Sequence, residues 1–272
     1  MSDQTLAATR PVVPSRPQVG PWPVGRAMIT RSLRVSTRQV DALITSVALP
    51  VIMMLMFVYL FGGAIRGAIP GGGDYVDYVV PGVLLMCVGW AAGTTAVSVA
   101  QDVTTGIIDR FRSLDVGGQS LTTGHVVASV ARNLVGTTLV FGVAFAVGFR
   151  SSAGVASWLA AIGILILFIV ALSWMAAAIG MVARSAEAAS GMAFFISFLA
   201  YPSSAFVPIR TMPTWLRGFA ENQPVTQVIN AIRSLLDGTA VGSSAWRGVV
   251  WSLGILAVSV ALAGYLFQRR TR

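Results

Sequence analysis

Gln101-Asp-Val-Thr-Thr-Gly-Ile-Ile-Asp-Arg-Phe-Arg-Ser-Leu-Asp-Val116 is a short polar island between two long apolar runs, 79–100 and 126–149. Val103, Ile107, Phe111 and Leu114 recur at spacings of four, four and three, which places them on one face of a helix. Asp109, Arg110, Arg112 and Ser113 fall largely on the other faces. A helix over 103–116 would be about 20 Å long, too short to cross a bilayer. The pattern alone fits two structures: an amphipathic helix at a membrane surface that offers one face to a partner, or a solvated loop helix with no partner.

The flanking runs decide the fold class. Six of them reach the roughly 20 residues a membrane helix needs: about 43–63, 79–100, 126–149, 155–182, 188–207 and 249–267. Tyr201-Pro202-Ser-Ser interrupts the fifth, an interruption membrane helices tolerate when neighbours satisfy the freed carbonyl. The expected architecture is an all-α integral membrane protein with six transmembrane helices. Composition agrees: 55% of the 272 residues are hydrophobic and 11% charged, which excludes a soluble globular domain. The net charge of +9 comes from Arg alone, with no Lys in the chain. A nucleic-acid binder gathers its basic residues on a polar domain; here they flank apolar runs, so no nucleic-acid partner is expected. The single Cys87 lies inside an apolar run and excludes an intrachain disulfide framework or thiolate metal site.

Before the first run, residues 1–21 are rich in Pro, Ser, Thr and Arg and are expected to form a disordered cytoplasmic tail. In 22–41, Arg31, Arg34 and Arg38 stack against an opposing stripe of Ile29, Leu33 and Val40, the pattern of a basic amphipathic interfacial helix. Residues 42–272 form the membrane domain. With both termini inside, twelve Arg fall on inner segments and six on outer ones, the bias expected of a cytoplasmic face. The outer connection 208–247 is too long for a turn. Two helical pieces, 213–221 and 225–236, are expected in it, with Pro213 and Pro224 at tolerated positions and Gly238 as a cap. Their apolar faces suggest short re-entrant helices, about 209–238, dipping into the outer leaflet.

Catalytic chemistry is missing. Gly71-Gly72-Gly73 lacks the Lys of a phosphate loop, and His125 has no metal-spaced carboxylate or Cys, so no metal site or catalytic residue is expected. Energy for uphill transport must come from a partner. Arg132 and Asn133 lie within the third apolar run, where a buried Arg is either functional or snorkels to the surface. Gly89 and Gly93 permit close helix approach, within the chain or between chains.

Two stretches carry a resemblance. Asp102-x-x-x-Gly106-Ile107-x-Asp109-Arg110-Phe111-Arg112-Ser113-Leu114 resembles the cytoplasmic loop of ABC transporter type-2 permeases, especially exporters of the daunorubicin-resistance type. Phe206-x-Pro208, Met212-Pro213-x-Trp215-Leu216 and Pro224-Val-Thr, with Arg233 and Gly238 behind, resemble the family's last outer loop. The resemblance covers nearly all of the chain beyond about residue 25. It implies that 103–116 is a coupling helix docking onto an ATP-binding cassette ATPase. It also implies that ATP and Mg bind that partner rather than this chain, and that a second copy or a homologous permease completes the pathway. The implied activity is export of a lipophilic drug or lipid across the plasma membrane. Asp115 stands where the family usually has Pro, and Gln227 where many members carry Tyr or His. The competing reading, an ion-gradient-driven secondary transporter, needs intramembrane carboxylates, and none of the six runs holds one in its interior.

Overall fold

A computed structural model describes residues 40–69, 73–106 and 118–270. The tail at 1–21, nearly all of the expected interfacial helix and positions 107–117 of the coupling segment lie outside the described residues.

Every regular element among the described residues is helical. In chain order they are α1 (Val40–Met56), a π-helical turn (Phe57–Phe61), α2 (Gly62–Arg66), α3 (Tyr75–Thr104), α4 (Gly118–Val147), α5 (Val155–Val182), α6 (Ala186–Phe198), a 3-10 turn (Ile209–Thr211), α7 (Thr214–Asn222), α8 (Pro224–Leu236) and α9 (Ser244–Arg270). Five described stretches are long and apolar enough to cross a membrane: Ser46–Arg66, Tyr75–Thr104, Thr122–Val147, Val155–Val182 and Ser244–Phe267. The first combines α1, the π-helical turn and α2. Pro50 lies inside α1 and cannot donate to the Ser46 carbonyl one turn back. The Cys87 thiol of α3 donates to that carbonyl instead, at 3.7 Å.

The fifth apolar run departs from a simple span. α6 has 13 residues and ends at Phe198, which gives about 20 Å of helix against a hydrocarbon core of about 30 Å. Pro202 accounts for the end, because it removes a donor and disfavours helical backbone at Tyr201. A second departure concerns the polar island. α3 continues through Thr104, so Val103 belongs to α3, and Gly106 takes a left-handed φ of 70°. A single helix therefore does not run from 103 to 116.

α3 is the axis of the bundle. In its most apolar window 72% of residues are buried, against 11% in the first span and 17% in the last. Missing side chains let the neighbours come close. A Cβ on Gly82 would meet Ala205 Cα at 2.6 Å, and one on Gly180 of α5 would meet the Ala96 carbonyl oxygen at 2.5 Å. Gly89 faces Ser197 of α6 in the same way, so the small-residue pattern serves packing within the chain. Gly82→Ala and Gly180→Ala should each lower stability by about 1–3 kcal/mol through overpacking. Gly93→Ala, whose Cβ would sit 3.8 Å from Ala193, should change it by no more than about 0.5 kcal/mol. Thermal unfolding of the purified full chain in detergent measures all three.

Candidate functional site

The backbone that leaves helical form after α6 stays buried. Ala200, Ser203, Ser204, Ala205 and Phe206 are each no more than 5% exposed, so the carbonyls freed there have no water to turn to. Four alternate carbonyls are met by side chains. Ser203 Oγ donates to the Ala200 oxygen, and Gln223 Nε2 donates to that of Pro202. Arg233 Nη2 reaches the Ser204 oxygen at 2.7 Å, and the Tyr75 hydroxyl reaches that of Phe206 at 2.8 Å. Apart from Ser203 within the segment itself, the donors come from α3, α8 and the residue just before α8, so the broken segment is bound to both helices.

Arg233 is the centre of this arrangement. Its Nε and Nη2 donate to the Tyr78 carbonyl at 3.1 and 3.0 Å, and its Nη1 to Asn230 Oδ1 at 2.9 Å. The guanidinium lies 3.8 Å from the centroid of the Tyr78 ring, a cation–π contact. Asn230 Oδ1 also accepts from Ser204 Oγ at 2.7 Å. The planar five-donor fork of Arg suits this set of acceptors, and a Lys ammonium does not. Beside it lies a cavity of about 510 Å³ lined in part by Asp77, Tyr78, Asn230, Arg233 and Asp237. Burial pushes the Asp237 carboxyl above the usual carboxylate range, while Arg233 pulls it down and Asp77 pushes it up. Ser151 and Ser152, in the loop after α4, donate to the Leu236 and Asp237 carbonyls at 2.6 and 2.7 Å and close the end of α8. Gly238 caps that helix with a φ of 66°.

The sequence motif of this region is spread over one end of the bundle. Pro208 precedes the 3-10 turn, Met212 follows it and is buried, and Pro213 precedes α7. Pro224 opens α8, whereas Trp215 projects outward with 79% exposure. Sequence reasoning singled out Arg233 but passed over Tyr75, Tyr78, Ser203, Gln223 and Asn230. One signal was present: Pro202 in an apolar run announces unpaired carbonyls, and Gln223, Asn230 and Arg233 are polar residues downstream that can donate to them or brace the donor.

The opposite end of α3 carries Asp102 and Gly106. Asp102 Oδ2 lies 3.0 Å from His125 Nε2 of α4, both side chains being about 15% exposed or less. His125, read from sequence as lacking a carboxylate partner, is therefore paired across the polar island. Among the described residues no group of three metal-ligating side chains forms. Ile107, Asp109, Arg110, Phe111, Arg112 and Leu114 lie outside the described residues. Arg132 lies well inside α4, which starts at Gly118, upstream of the apolar run. Its Nη2 donates to Thr95 Oγ1 at 2.9 Å, and Thr95 continues through Ser129 at 2.8 Å to Ser173 at 2.9 Å. This hydroxyl ladder links α3, α4 and α5, and Arg132 joins it inside the bundle. Asn133 is buried and donates to the Ser129 carbonyl at 3.0 Å.

One face of the bundle is unusually aromatic. Rings of Phe194, Phe198, Tyr201, Phe206, Phe57 and Phe61 follow one another at centroid spacings of 4.6–6.0 Å. The ladder runs from α6 to the π-helical turn, and Phe61, Phe194, Phe198 and Tyr201 are 38–53% exposed.

Removing Arg233 strands the Ser204 carbonyl, worth about 1–3 kcal/mol when buried and unmet, and takes from Tyr78 both the charged donors on its carbonyl and the cation–π contact on its ring. Arg233→Ala should cost about 3–5 kcal/mol. Arg233→Lys should recover less than half, because a point donor cannot span both carbonyls. Thermal unfolding of the full chain, with trypsin cleavage at Arg210 and Arg217 as a local probe, reads both.

The pattern that defines the ABC-2 type transporter family matches residues 24–236, most of the chain. The chain is 31% identical over 229 residues to the daunorubicin resistance ABC transporter permease protein DrrB1 of Streptomyces coeruleorubidus, covering 84% of this chain and 80% of that one. It is 25% identical over 230 residues to the probable doxorubicin resistance ABC transporter permease protein DrrC of Mycobacterium tuberculosis, covering 84% and 83%. A third relative, the doxorubicin resistance ABC transporter permease protein DrrB of Mycobacterium tuberculosis, is 28% identical over 211 residues, with 74% and 72% covered. With five helices of membrane-crossing length and the family pattern across most of its length, the chain belongs to the ABC-2 type transporters, as a membrane-embedded permease.

Proposed function

We propose that this chain is the permease of an exporter that carries a lipophilic drug or lipid-like compound outward across the plasma membrane. An ATP-binding cassette ATPase, holding ATP and Mg, drives it from the cytoplasmic side. The observation that carries the reading is that one helix, α3, joins the polar island at one end to the Arg233-bound segment at the other. At 30 residues it is about 45 Å long, so displacement of the island is delivered across the membrane by a rigid rod. α6 with 199–207 counts as the fifth of six spans, α7 and α8 form the outer re-entrant piece, and both termini face the cytoplasm. A second permease copy closes against the aromatic face of α6 and the π-helical turn, where the run of exposed rings offers a surface for van der Waals packing between chains within the bilayer. The chain supplies no catalytic group of its own.

Ile107, Phe111 and Leu114 dock on the ATPase, with Asp109, Arg110 and Arg112 setting orientation and partner choice. Loss of a buried aromatic anchor costs about 2–4 kcal/mol, which weakens assembly about thirtyfold or more. Phe111→Asp should abolish co-purification of the ATPase and substrate-stimulated ATP hydrolysis while membrane insertion persists. Retention of both would leave the island a solvated loop and remove the mechanical basis of the reading. Cysteine labelling gives the topology: Cys87 is 1% exposed, so cysteines introduced at Gly118 and Gly218 can be read against it. The first should label from the cytoplasm and the second from outside; label on one side only would end the proposed topology. Arg132→Ala should insert normally and lose export, because the hydroxyl ladder loses its cation; normal export by that variant would make Arg132 a packing residue.

A further inference from the structure

An apolar groove of about 540 Å³ lies on a different face of the bundle, between α5, α6 and α9. Met175, Ile179 and Val182 of α5 form one side, and Trp251, Gly254 and Val258 of α9 the other. α6 and α9 each pack on α5 but hardly touch each other, which leaves the groove open along its length. Gly82 and Gly180 make room for a neighbouring backbone, but a Cβ on Gly254 would meet nothing within 4 Å. This glycine hollows the groove without letting a helix in. Its lining offers water almost no hydrogen-bond partner, so the occupant is apolar.

Charge at one end of the groove specifies that occupant further. Arg184 follows Val182 by two residues, is exposed, and makes no hydrogen bond or ion pair among the described residues. The nearest carboxylate in the chain, Glu187, is held by its own backbone N–H and by Ser185 at the start of α6. α9 reaches the same end of the bundle and finishes in Arg269 and Arg270. An apolar slot with the Arg184 guanidinium, unpaired among the described residues, beyond its Val182 end complements a molecule with a long hydrocarbon tail and an anionic head.

We propose that the groove binds an acidic glycerophospholipid, with one acyl chain between α6 and α9 and the phosphate at Arg184. The lipid belongs to the leaflet at the Asp102 end of the bundle, the cytoplasmic leaflet in the orientation proposed above. The site requires only that the chain spans a membrane, so it stands or falls separately from the exporter reading.

Native mass spectrometry of the purified full chain, titrated with phosphatidylglycerol and phosphatidylcholine of identical chains, tests the site. The wild-type chain should retain phosphatidylglycerol about fivefold better than phosphatidylcholine, the preference one basic contact confers. Arg184→Gln should abolish the preference and leave phosphatidylcholine binding unchanged. Gly254→Leu should lower retention of both lipids at least fivefold with no loss of thermal stability. Undiminished selectivity in Arg184→Gln, or wild-type lipid retention in Gly254→Leu, overturns the proposal. A loss of dimer mass in Gly254→Leu with unchanged lipid count overturns it in favour of a second copy. Displacement of the bound lipid by daunorubicin from the wild-type chain overturns it in favour of a substrate site. The lipid count is indifferent to which side faces the cytoplasm, so an inverted topology, read by labelling, is a separate outcome.

Discussion

An unpaired backbone carbonyl in a hydrocarbon environment costs several kcal/mol, and the fold of this chain depends on meeting that cost at 199–207. A helix would satisfy these groups automatically. The chain leaves helical form before Pro202 instead, and the segment must then be held by other donors. Those donors sit on Tyr75, Gln223 and Arg233, far apart in sequence, and Ser203 within the segment itself. Once they are required, the starts of α3 and α8 must both lie against the break, which fixes the outer-loop helices on the bundle. The close contact at Gly82 follows from the same constraint, because Ala205 belongs to the broken segment and presses its backbone onto α3.

Legibility in the sequence followed the range of the forces involved. The long spans were readable because hydrophobicity sums over many neighbours. α5 begins and ends at the positions the apolar run marks. α8 was readable from its spacing and from Pro224, which opens it at N1. The break after Phe198 was visible as Pro202, but its solution was not. Nothing local connects Tyr75 to Phe206, 131 residues away, or Arg233 to Tyr78, 155 residues away. Likewise, His125 looked isolated because Asp102 is 23 residues upstream across the polar island. Arg132 appeared closer to the start of its helix than it is, because α4 extends upstream of its apolar core through Gly118-Gln-Ser-Leu-Thr-Thr, residues that propensity alone does not favour.

The two ends of α3 are held differently. At the Arg233 end one guanidinium grips two main-chain carbonyls and a ring. Midway, hydroxyl contacts to α4 and α5 run through Thr95 and Ser129. At the other end Asp102 pairs with His125, and Val99 and Val103 pack in an apolar cluster with Val126, Met181 and Ala263, followed by Gly106 in a left-handed conformation. Polar contacts thus give way to apolar packing toward the polar island.

The same bonding bears on the orientation argument from Arg counts. Arg on the outer segments counts against the proposed topology only while it stays free to meet lipid headgroups. Arg66 pairs with Asp74 at 2.9 Å, and Arg210 donates to the Ala68 carbonyl. Arg217 binds the Met212 and Arg210 carbonyls, both at 2.8 Å, and Arg150 binds that of Phe149 at 3.1 Å. Arg233 is fully engaged, and Arg247 lies over the Trp246 ring. Arg150, Arg210, Arg217 and Arg233 act as donors to carbonyls at or beside non-helical segments. The Arg184 side chain, at the other end, has no such protein partner among the described residues. Among the described residues, the Arg of the outer connections are thus engaged by the fold, while Arg184 is left to meet what surrounds the bundle.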